Sequence, residues 1–128
     1  MTLYGEEVCG DGNHSIAEDL CIRSYQFAIF TPLFYVNVQR MPSKFTKYAQ
    51  RLMVHAIRTR YSLHGYMQTW ISMGMPLLRP LHLAYADVIN DSVSWQFMYG
   101  DSLMIAPIVE PLVTELNLTF PEKYFELW

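Results

Sequence analysis

Charged side chains are scarce in this sequence. Of its 128 residues only 16% are Asp, Glu, Lys or Arg, whereas an average soluble domain carries about 25%. Apolar residues make up 52%, so the chain can bury enough surface to offset the entropy of folding, which excludes intrinsic disorder. This number of charged side chains is too small to cover the surface of an independent domain. We therefore expect one domain at most, as a subunit or as a fragment of a larger protein.

Basic residues and long apolar runs are also few. Nine Lys and Arg against twelve Asp and Glu give a net charge of −3, which argues against a nucleic-acid partner. No run reaches the roughly 18 apolar residues of a membrane span. The best candidate, residues 103–113, is interrupted by Pro107, Glu110 and Pro111. The first residues lack the basic start and apolar core of a signal peptide.

Cysteine is rare as well, since Cys9 and Cys21 are the only two. Together with His14 they would make an unusual zinc site, because their spacing matches no standard ligand pattern. A disulfide that closes a short loop is the better hypothesis, worth about 3 kcal/mol in the chain-entropy model. In a reducing compartment the two residues would instead be buried thiols.

Three Asn-x-Ser/Thr triplets begin at Asn13, Asn90 and Asn117 and are candidate N-glycosylation sites. Together with the cysteine pair they indicate the secretory pathway, with an extracellular, lysosomal or membrane-attached destination. Because the first residues carry no targeting segment, we expect that segment to belong to a part of the protein upstream of this chain.

The first third of the chain predicts a helix followed by a strand. Ser15 and Glu18 form a capping-box pattern, which favours a helix over about residues 16–30. Pro32 ends that helix. Residues 32–38 are rich in β-branched and aromatic side chains and predict a buried strand.

The longest periodic segment, residues 46–73, predicts one long helix with a bend at Gly65. Gly74 and Pro76 form a stop signal after it. The apolar positions recur every 3.6 residues and predict a core-facing stripe of Leu52, Met53, Ala56, Ile57, Met67 and Ile71.

Helical periodicity disappears after Pro80. Short apolar runs separated by Asp, Asn, Gly and Pro are typical of a β-sheet region, and they cover residues 81–86, 93–99, 102–109 and 113–120. The change of pattern predicts a domain boundary near residues 85–92. We therefore divide the chain into an α/β part, residues 1–86, and the start of an all-β part, residues 87–128.

One short motif suggests a serine esterase. Residues 100–103 read GDSL, and Asp11 and His14 supply the Asp-x-x-His pair that such enzymes require. However, the pair precedes the serine instead of following it, and no helix is predicted after Ser102. The alternative interpretation is a turn between two strands.

The densest acidic cluster comprises Glu6, Glu7, Asp11, Glu18 and Asp19. Two carboxylates can serve as nucleophile and general acid in the hydrolysis of a glycosidic bond. Alone, such a cluster is more often a solvated loop. Only the surrounding sequence favours the hypothesis that it acts in sugar hydrolysis.

Five segments supply that context. Their sequences are GEEVCGD at 5–11, LCIRSYQFAIFTPL at 20–33, RTRYSLHGY at 58–66, GMPLLRPL at 74–81 and QFMYGDSLMIAPI at 96–108. In order and spacing they resemble glycoside hydrolase family 31, the family of α-glucosidases and sucrase-maltase. Its members read G-A-D-I-C-G-F, L-C-x-R-W-x-Q-x-G-A-F-x-P-F, R-x-R-Y-x-L-x-P-Y, G-x-P-v-x-R-P-L and Q-F-x-x-G-x-x-L-L-x-A-P-V. The resemblance runs over nearly the whole chain.

The resemblance implies an α/β fold class, namely a partial (β/α)8 barrel followed by the start of a β-sandwich. Residues 1–8 would end strand seven, and residues 16–30 would form its helix. Residues 32–37 would be strand eight, and residues 46–73 the closing helix. The sandwich would begin after residue 86. Arg79, in the R-P-L motif, is expected to pair with a carboxylate or with carbonyl groups.

The resemblance also implies cleavage of O-glycosidic, α-glucosidic bonds with retention of configuration. The family uses an Asp nucleophile after strand four and an Asp acid/base after strand six, and both would lie upstream of this chain. We therefore expect the chain alone to be inactive and to need the rest of its parent chain. The parent's substrate would be an oligosaccharide or α-glucoside, and neither a cofactor nor a metal is implied.

Four sugar-contacting positions of the family align with Glu7, Asp11, Tyr35 and Asn37. The family has Asp, Phe, Arg and His there, so all four positions are substituted. Either the parent is an enzyme of altered specificity, or it is a non-catalytic relative that serves in binding or as a scaffold.

Overall fold

The computed structural model describes residues 5–10, 14–86 and 95–121. In chain order the elements are β1 (Gly5–Val8), α1 (Glu18–Ala28), β2 (Leu33–Val36), two 3₁₀ turns (Val38–Arg40 and Pro42–Lys44), α2 (Lys47–Ser62), α3 (His64–Ser72), β3 (Leu78–Pro80), α4 (Leu81–Ala84), β4 (Phe97–Tyr99) and β5 (Leu103–Ile105). Within those ranges no helix has the length and hydropathy needed to cross a membrane.

The first half is a β–α–β unit followed by α2. Strands β1 and β2 pair in parallel, with Gly5 opposite Leu33 and Val8 opposite Val36, and α1 connects them. A side chain at Gly5 would collide with the backbone of Leu33, so the close approach of the strands requires glycine. Helices α1 and α2 pack on each other, and α1 also packs on β1. The buried residues of this core include Val8, Cys21, Tyr25, Ala28, Ala49, Met53 and Ala56.

The start of α1 differs from the prediction. The helix begins at Glu18, its N-cap residue is Ala17, and no side chain caps it, so the predicted capping box of Ser15 is wrong. The Glu18 carboxylate instead accepts hydrogen bonds from the backbone N–H of Thr46, at 3.0 Å, and from its hydroxyl, at 2.7 Å. Thr46 in turn caps α2 by accepting from the N–H of Ala49. Glu18 therefore stabilises the start of the other helix.

The predicted single helix over residues 46–73 is two helices. The break lies at Leu63, where ψ is −1°, and Gly65 lies inside α3. The core-facing stripe is as predicted, since Met53, Ala56 and Met67 are buried and Leu52, Ile57 and Ile71 pack against them. The break lets α2 pack on α1 while α3 contacts the second sheet through residues that include Tyr66 and Trp70.

The second sheet has the order β3–β4–β5 and is antiparallel throughout. Its first strand, Leu78–Pro80, precedes the predicted boundary at residues 86/87. Residues 81–86 were expected to form a strand, but Leu81–Ala84 is a short helix. Pro80 lacks the N–H that a continuing strand needs. The alternation of Leu81 and Leu83 is typical of a strand, but Leu83 is exposed.

The other predicted β-runs are shorter than expected or absent. Strand β4 covers Phe97–Tyr99, while residues 93 and 94 of the run at 93–99 lie outside the described residues. Strand β5 covers only Leu103–Ile105 of the run at 102–109. Residues 113–120 contain no strand. At Thr119 the backbone is bound by the buried side chain of Gln96.

Strand β2 is not fully buried, contrary to the prediction. Leu33 is 50% exposed and Tyr35 is 61% exposed, because the helices cover the opposite face of the sheet. Phe34 and Val36 point the other way, into the core. The strand therefore has one covered face and one open face.

Arg60, on α2, holds the α1–β2 connection. Its guanidinium donates to the carbonyl oxygens of Ile29 and Thr31, both at 2.6 Å, and to that of Pro32 at 2.9 Å. The same group lies 5.4 Å from the ring centre of Phe34. Burial lowers the pKa of Arg60. One side chain thus satisfies three backbone acceptors where the chain leaves a helix and enters a strand.

Arg23 and Arg79 act in the same way elsewhere. Arg23, on α1, donates to the carbonyl oxygens of Ile108 and Val113, at 3.3 and 3.1 Å, and so fixes the segment that follows β5. Arg79, on β3, donates to the carbonyl oxygen of Gly100 at 3.2 Å and pairs with the carboxylate of Asp101. The prediction that Arg79 binds a carboxylate or carbonyl groups is confirmed.

Candidate functional site

Two of the predicted sugar-contacting residues form one polar pair at the carboxyl ends of β1 and β2. The side-chain amide of Asn37 donates to Oε1 of Glu7 at 3.1 Å. The amide oxygen of Asn37 accepts from the N–H of Gln39 at 3.0 Å and so caps the first 3₁₀ turn. These two bonds fix the orientation of the amide, because its nitrogen must donate to Glu7 while its oxygen accepts.

Tyr35 lies on the same face of the sheet as this pair. It is opposite Glu7 in the strand register, and it is two residues before Asn37, so all three side chains project from one face. The neighbours on the opposite face, Val8 and Phe34, pack in the core with α1. The face away from the helix therefore carries polar side chains at its carboxyl end, which is where the functional residues of a (β/α)8 barrel lie.

The turn after β1 is held in place by two contacts with α1. Cys9 has a positive φ of 62° and forms a disulfide with Cys21 of α1, with 4.9 Å between the Cα atoms. This separation is within the usual range of about 4.4–6.8 Å and agrees with the disulfide hypothesis. The N–H of Cys9 donates to the hydroxyl of Ser24 at 3.0 Å, so the chain immediately after Glu7 is anchored to α1.

The remaining predicted positions have different outcomes. Asp11, Asn13 and Asn90 lie outside the described residues. Asn117 is exposed in a segment without helix or strand. Among the residues that the structure describes, no group of three His, Cys, Asp or Glu side chains is placed to hold a metal ion.

The esterase hypothesis is wrong. Residues 100–102 form the turn of the hairpin between β4 and β5 and not a strand-to-helix turn. The carboxylate of Asp101 is engaged by Arg79, and the N–H of Ser102 donates to the Tyr66 hydroxyl at 3.2 Å. The GDSL residues therefore serve a structural turn.

The sequence did not reveal that Glu7 and Asn37 bind each other. The available signal was positional: each residue lies at the carboxyl end of a predicted strand, and neighbouring parallel strands bring such ends together. Arg60 was also missed as a stabilising residue, although it lies within one of the motifs.

Comparison with known proteins agrees with this geometry. Residues 1–70 match the TIM-barrel domain of glycosyl hydrolases family 31, and residues 74–128 match the C-terminal domain of the same family. A probable alpha/beta-glucosidase of Aspergillus clavatus is 29% identical over 137 aligned residues. The lysosomal alpha-glucosidase of Mus musculus is 32% identical over 132 aligned residues.

The chain is much shorter than these relatives. The two alignments cover 100% and 95% of this chain but only 15% and 14% of the relatives. A family 31 dextranase of Flavobacterium johnsoniae, solved with isomaltotriose, superposes with a TM-score of 0.65 at 28% identity, over 75% of this chain and 13% of that one. The chain belongs to glycoside hydrolase family 31 and comprises a region of its TIM-barrel domain followed by a region of its C-terminal domain.

Proposed function

We propose that this chain supplies barrel strands seven and eight, with their sugar-binding residues, to a retaining glycoside hydrolase that cleaves α-glucosidic bonds. The observation that carries the proposal is the Glu7–Asn37 pair, at 3.1 Å, on the polar face of two parallel strands. Family membership supports the reaction class, and the α-glucosidases among its relatives support the substrate class.

The pair is suited to binding sugar hydroxyl groups. An ionised carboxylate accepts hydrogen bonds at about four lone-pair sites, and Asn37 occupies only one oxygen of Glu7. The remaining acceptor sites can receive hydroxyl protons of a glucosyl unit. Tyr35, 61% exposed beside the pair, offers a ring face and a hydroxyl where the family has a fixed positive charge. These differences predict altered substrate preference relative to the family.

The catalytic carboxylates would come from the rest of the parent chain. Retention requires two carboxyl groups about 5–5.5 Å apart on opposite sides of the scissile bond, and Glu7, on β1, supplies a carboxylate from one side only. The open edge of β2 and the neighbouring 680 Å³ groove lined by residues that include Leu33, Ile57 and Met67 support docking of further barrel strands. We propose residues 1–86 as the partial barrel and residues 87–128 as the start of the β-sandwich, with β3 (Leu78–Pro80) joining the second sheet from the barrel side of that boundary.

The binding role is tested in the complete parent protein. Glu7→Gln removes the charged acceptor but keeps the size of the side chain, and a lost charged hydrogen bond costs about 1.5–3 kcal/mol. We expect kcat/KM for an aryl α-glucoside to fall about ten- to hundredfold. Arg51→Ala, on the exposed face of α2, is the control and should leave kcat/KM unchanged. Equal kcat/KM values for both variants and the wild type would refute the binding role of Glu7.

The inactivity of the 128-residue chain alone is tested separately. We expect no turnover of an aryl α-glucoside at acidic or neutral pH, because each missing catalytic carboxylate costs orders of magnitude in rate. Turnover above that of a denatured sample, abolished by Glu7→Gln, would contradict the proposal and make the chain an enzyme in its own right.

A non-catalytic parent is the second candidate. It is favoured by the substitution of all four aligned positions, Glu7, Asp11, Tyr35 and Asn37. The two candidates differ in the parent sequence, because an enzyme requires the Asp residues after strands four and six. A parent without them that binds α-glucosides with no turnover would establish the binding or scaffold role.

We also propose that the protein follows the secretory pathway, to the lysosome or the cell exterior. The Cys9–Cys21 disulfide supports this, because disulfides persist in oxidising compartments and are rare in the cytosol. A relative named for the lysosome supports the same route.

A further inference from the structure

We propose that Asn117 carries an N-linked glycan in the folded protein. Asn117, Leu118 and Thr119 form an acceptor triplet, and the Asn117 side chain is exposed in an irregular segment. A bulky glycan requires such a surface position. The same triplet on a buried strand or helix would be incompatible with modification of the folded chain.

The segment is fixed on the side away from the asparagine. Gln96 is fully buried, and its Oε1 accepts from the N–H of Thr119 at 2.8 Å while its Nε2 donates to the carbonyl oxygen of Thr119 at 3.1 Å. Both bonds use the backbone of Thr119, so its hydroxyl takes no part in them. Pro121 is buried two residues later. The inner side of the segment is therefore occupied, and Asn117 lies on the outer side.

The neighbouring side chains indicate what the glycan would do there. Leu118 and Phe120 are each 46% exposed, in a protein with little surface charge. A glycan on Asn117, next to these two side chains, would shield part of this apolar surface and improve the solubility of the protein. The Cys9–Cys21 disulfide requires an oxidising compartment, which in a eukaryotic cell is also where N-glycans are attached.

A glycan at Asn117 would limit where the rest of the parent chain can pack. A surface that carries a glycan faces solvent, so the 117–120 segment would remain uncovered when the rest of the parent chain is present. Further barrel strands would then pack elsewhere, at the edges of β1 and β2 that have no strand partner among the described residues.

The test isolates this triplet. The full chain, with Asn13→Gln and Asn90→Gln to remove the other two triplets, is expressed behind a cleavable signal peptide in eukaryotic cells, and both secreted and microsomal protein are analysed. We expect one glycan, whose removal by peptide N-glycosidase leaves Asp at position 117. Thr119→Ser should retain it, and Thr119→Val should lose it completely.

Thr119→Ser and Thr119→Val are matched, because Gln96 binds only the backbone at this position. Loss of the glycan in the valine variant alone therefore supports the triplet as the acceptor and excludes misfolding as the cause. An unmodified Asn117 peptide in both fractions, from cells that glycosylate a co-expressed reporter, would overturn the proposal. So would a glycan that persists in Thr119→Val.

Discussion

Replacing Arg60 should destabilise the protein more than any other single surface-accessible change on α2. Arg60→Met keeps an unbranched side chain but removes three hydrogen bonds, at 2.6, 2.6 and 2.9 Å, to carbonyl oxygens. Hydrogen bonds from a charged donor are worth about 1.5–3 kcal/mol each, and the contact with Phe34 adds about 0.5–1 kcal/mol. Because Arg60 is partly exposed and the bonds share one group, we expect a loss of about 4 kcal/mol in the free energy of unfolding.

The assay is urea unfolding followed by tryptophan fluorescence. The control is Arg58→Met, on the same helix and exposed, for which we expect a change within about 0.5 kcal/mol. Arg60→Lys should lose about half as much as Arg60→Met, because one ammonium group keeps the charge but cannot span three carbonyls. If Arg60→Met and Arg58→Met unfold at the same urea concentration, the assignment of Arg60 as the anchor of the α1–β2 connection is wrong.

Two further predictions concern a glycine and a buried tyrosine. At Gly100, φ is +62° and an added Cβ would collide with Tyr66 and Trp70, whereas at Gly74 φ is +70° and an added Cβ would meet no atom within 4 Å. Gly100→Ala should therefore lower the free energy of unfolding by about 3 kcal/mol, and Gly74→Ala, the control, by about 1 kcal/mol. Equal shifts of the melting temperature in the two variants would contradict this prediction. Burial raises the pKa of Tyr25 from 10.0 to about 12, so its contribution to stability is present below the unfolded pKa and is lost as the pH rises from about 10 towards 12. In urea unfolding over that pH range Tyr25→Phe should show a smaller alkaline loss than the wild type, and an identical loss would refute the assignment.

The helices were largely predictable from sequence because their buried stripes are long enough to show a period. Met53, Ala56 and Met67 fall on the predicted core face, and their side chains are buried. The bend was predicted at Gly65, two residues after the actual break at Leu63, because Leu63 is apolar and continues the same period. The break is required because α2 and α3 pack against different parts of the protein.

The short elements were less predictable, because local signals compete with distant contacts. Ser15 and Glu18 match a capping box, but Glu18 binds Thr46, 28 residues away. In the same way Gln96 replaces a strand partner for Thr119. For the candidate site, the family resemblance identified Glu7 and Asn37 as aligned positions. The hydrogen bond between them depends on the pairing of β1 with β2, which a sequence motif does not specify.

The three anchoring arginines have an evolutionary consequence. Arg23, Arg60 and Arg79 all donate to main-chain carbonyl oxygens, and every amino acid presents that group. The residues at the accepting positions can therefore drift without loss of the bond, while the arginines themselves are constrained. In a set of divergent homologues the carbonyl contacts would leave fixed columns with no covarying partner, so methods that infer proximity from correlated substitutions would overlook them. The ion pairs of Arg79 with Asp101 and of Arg23 with Asp19 differ, because each joins two side chains.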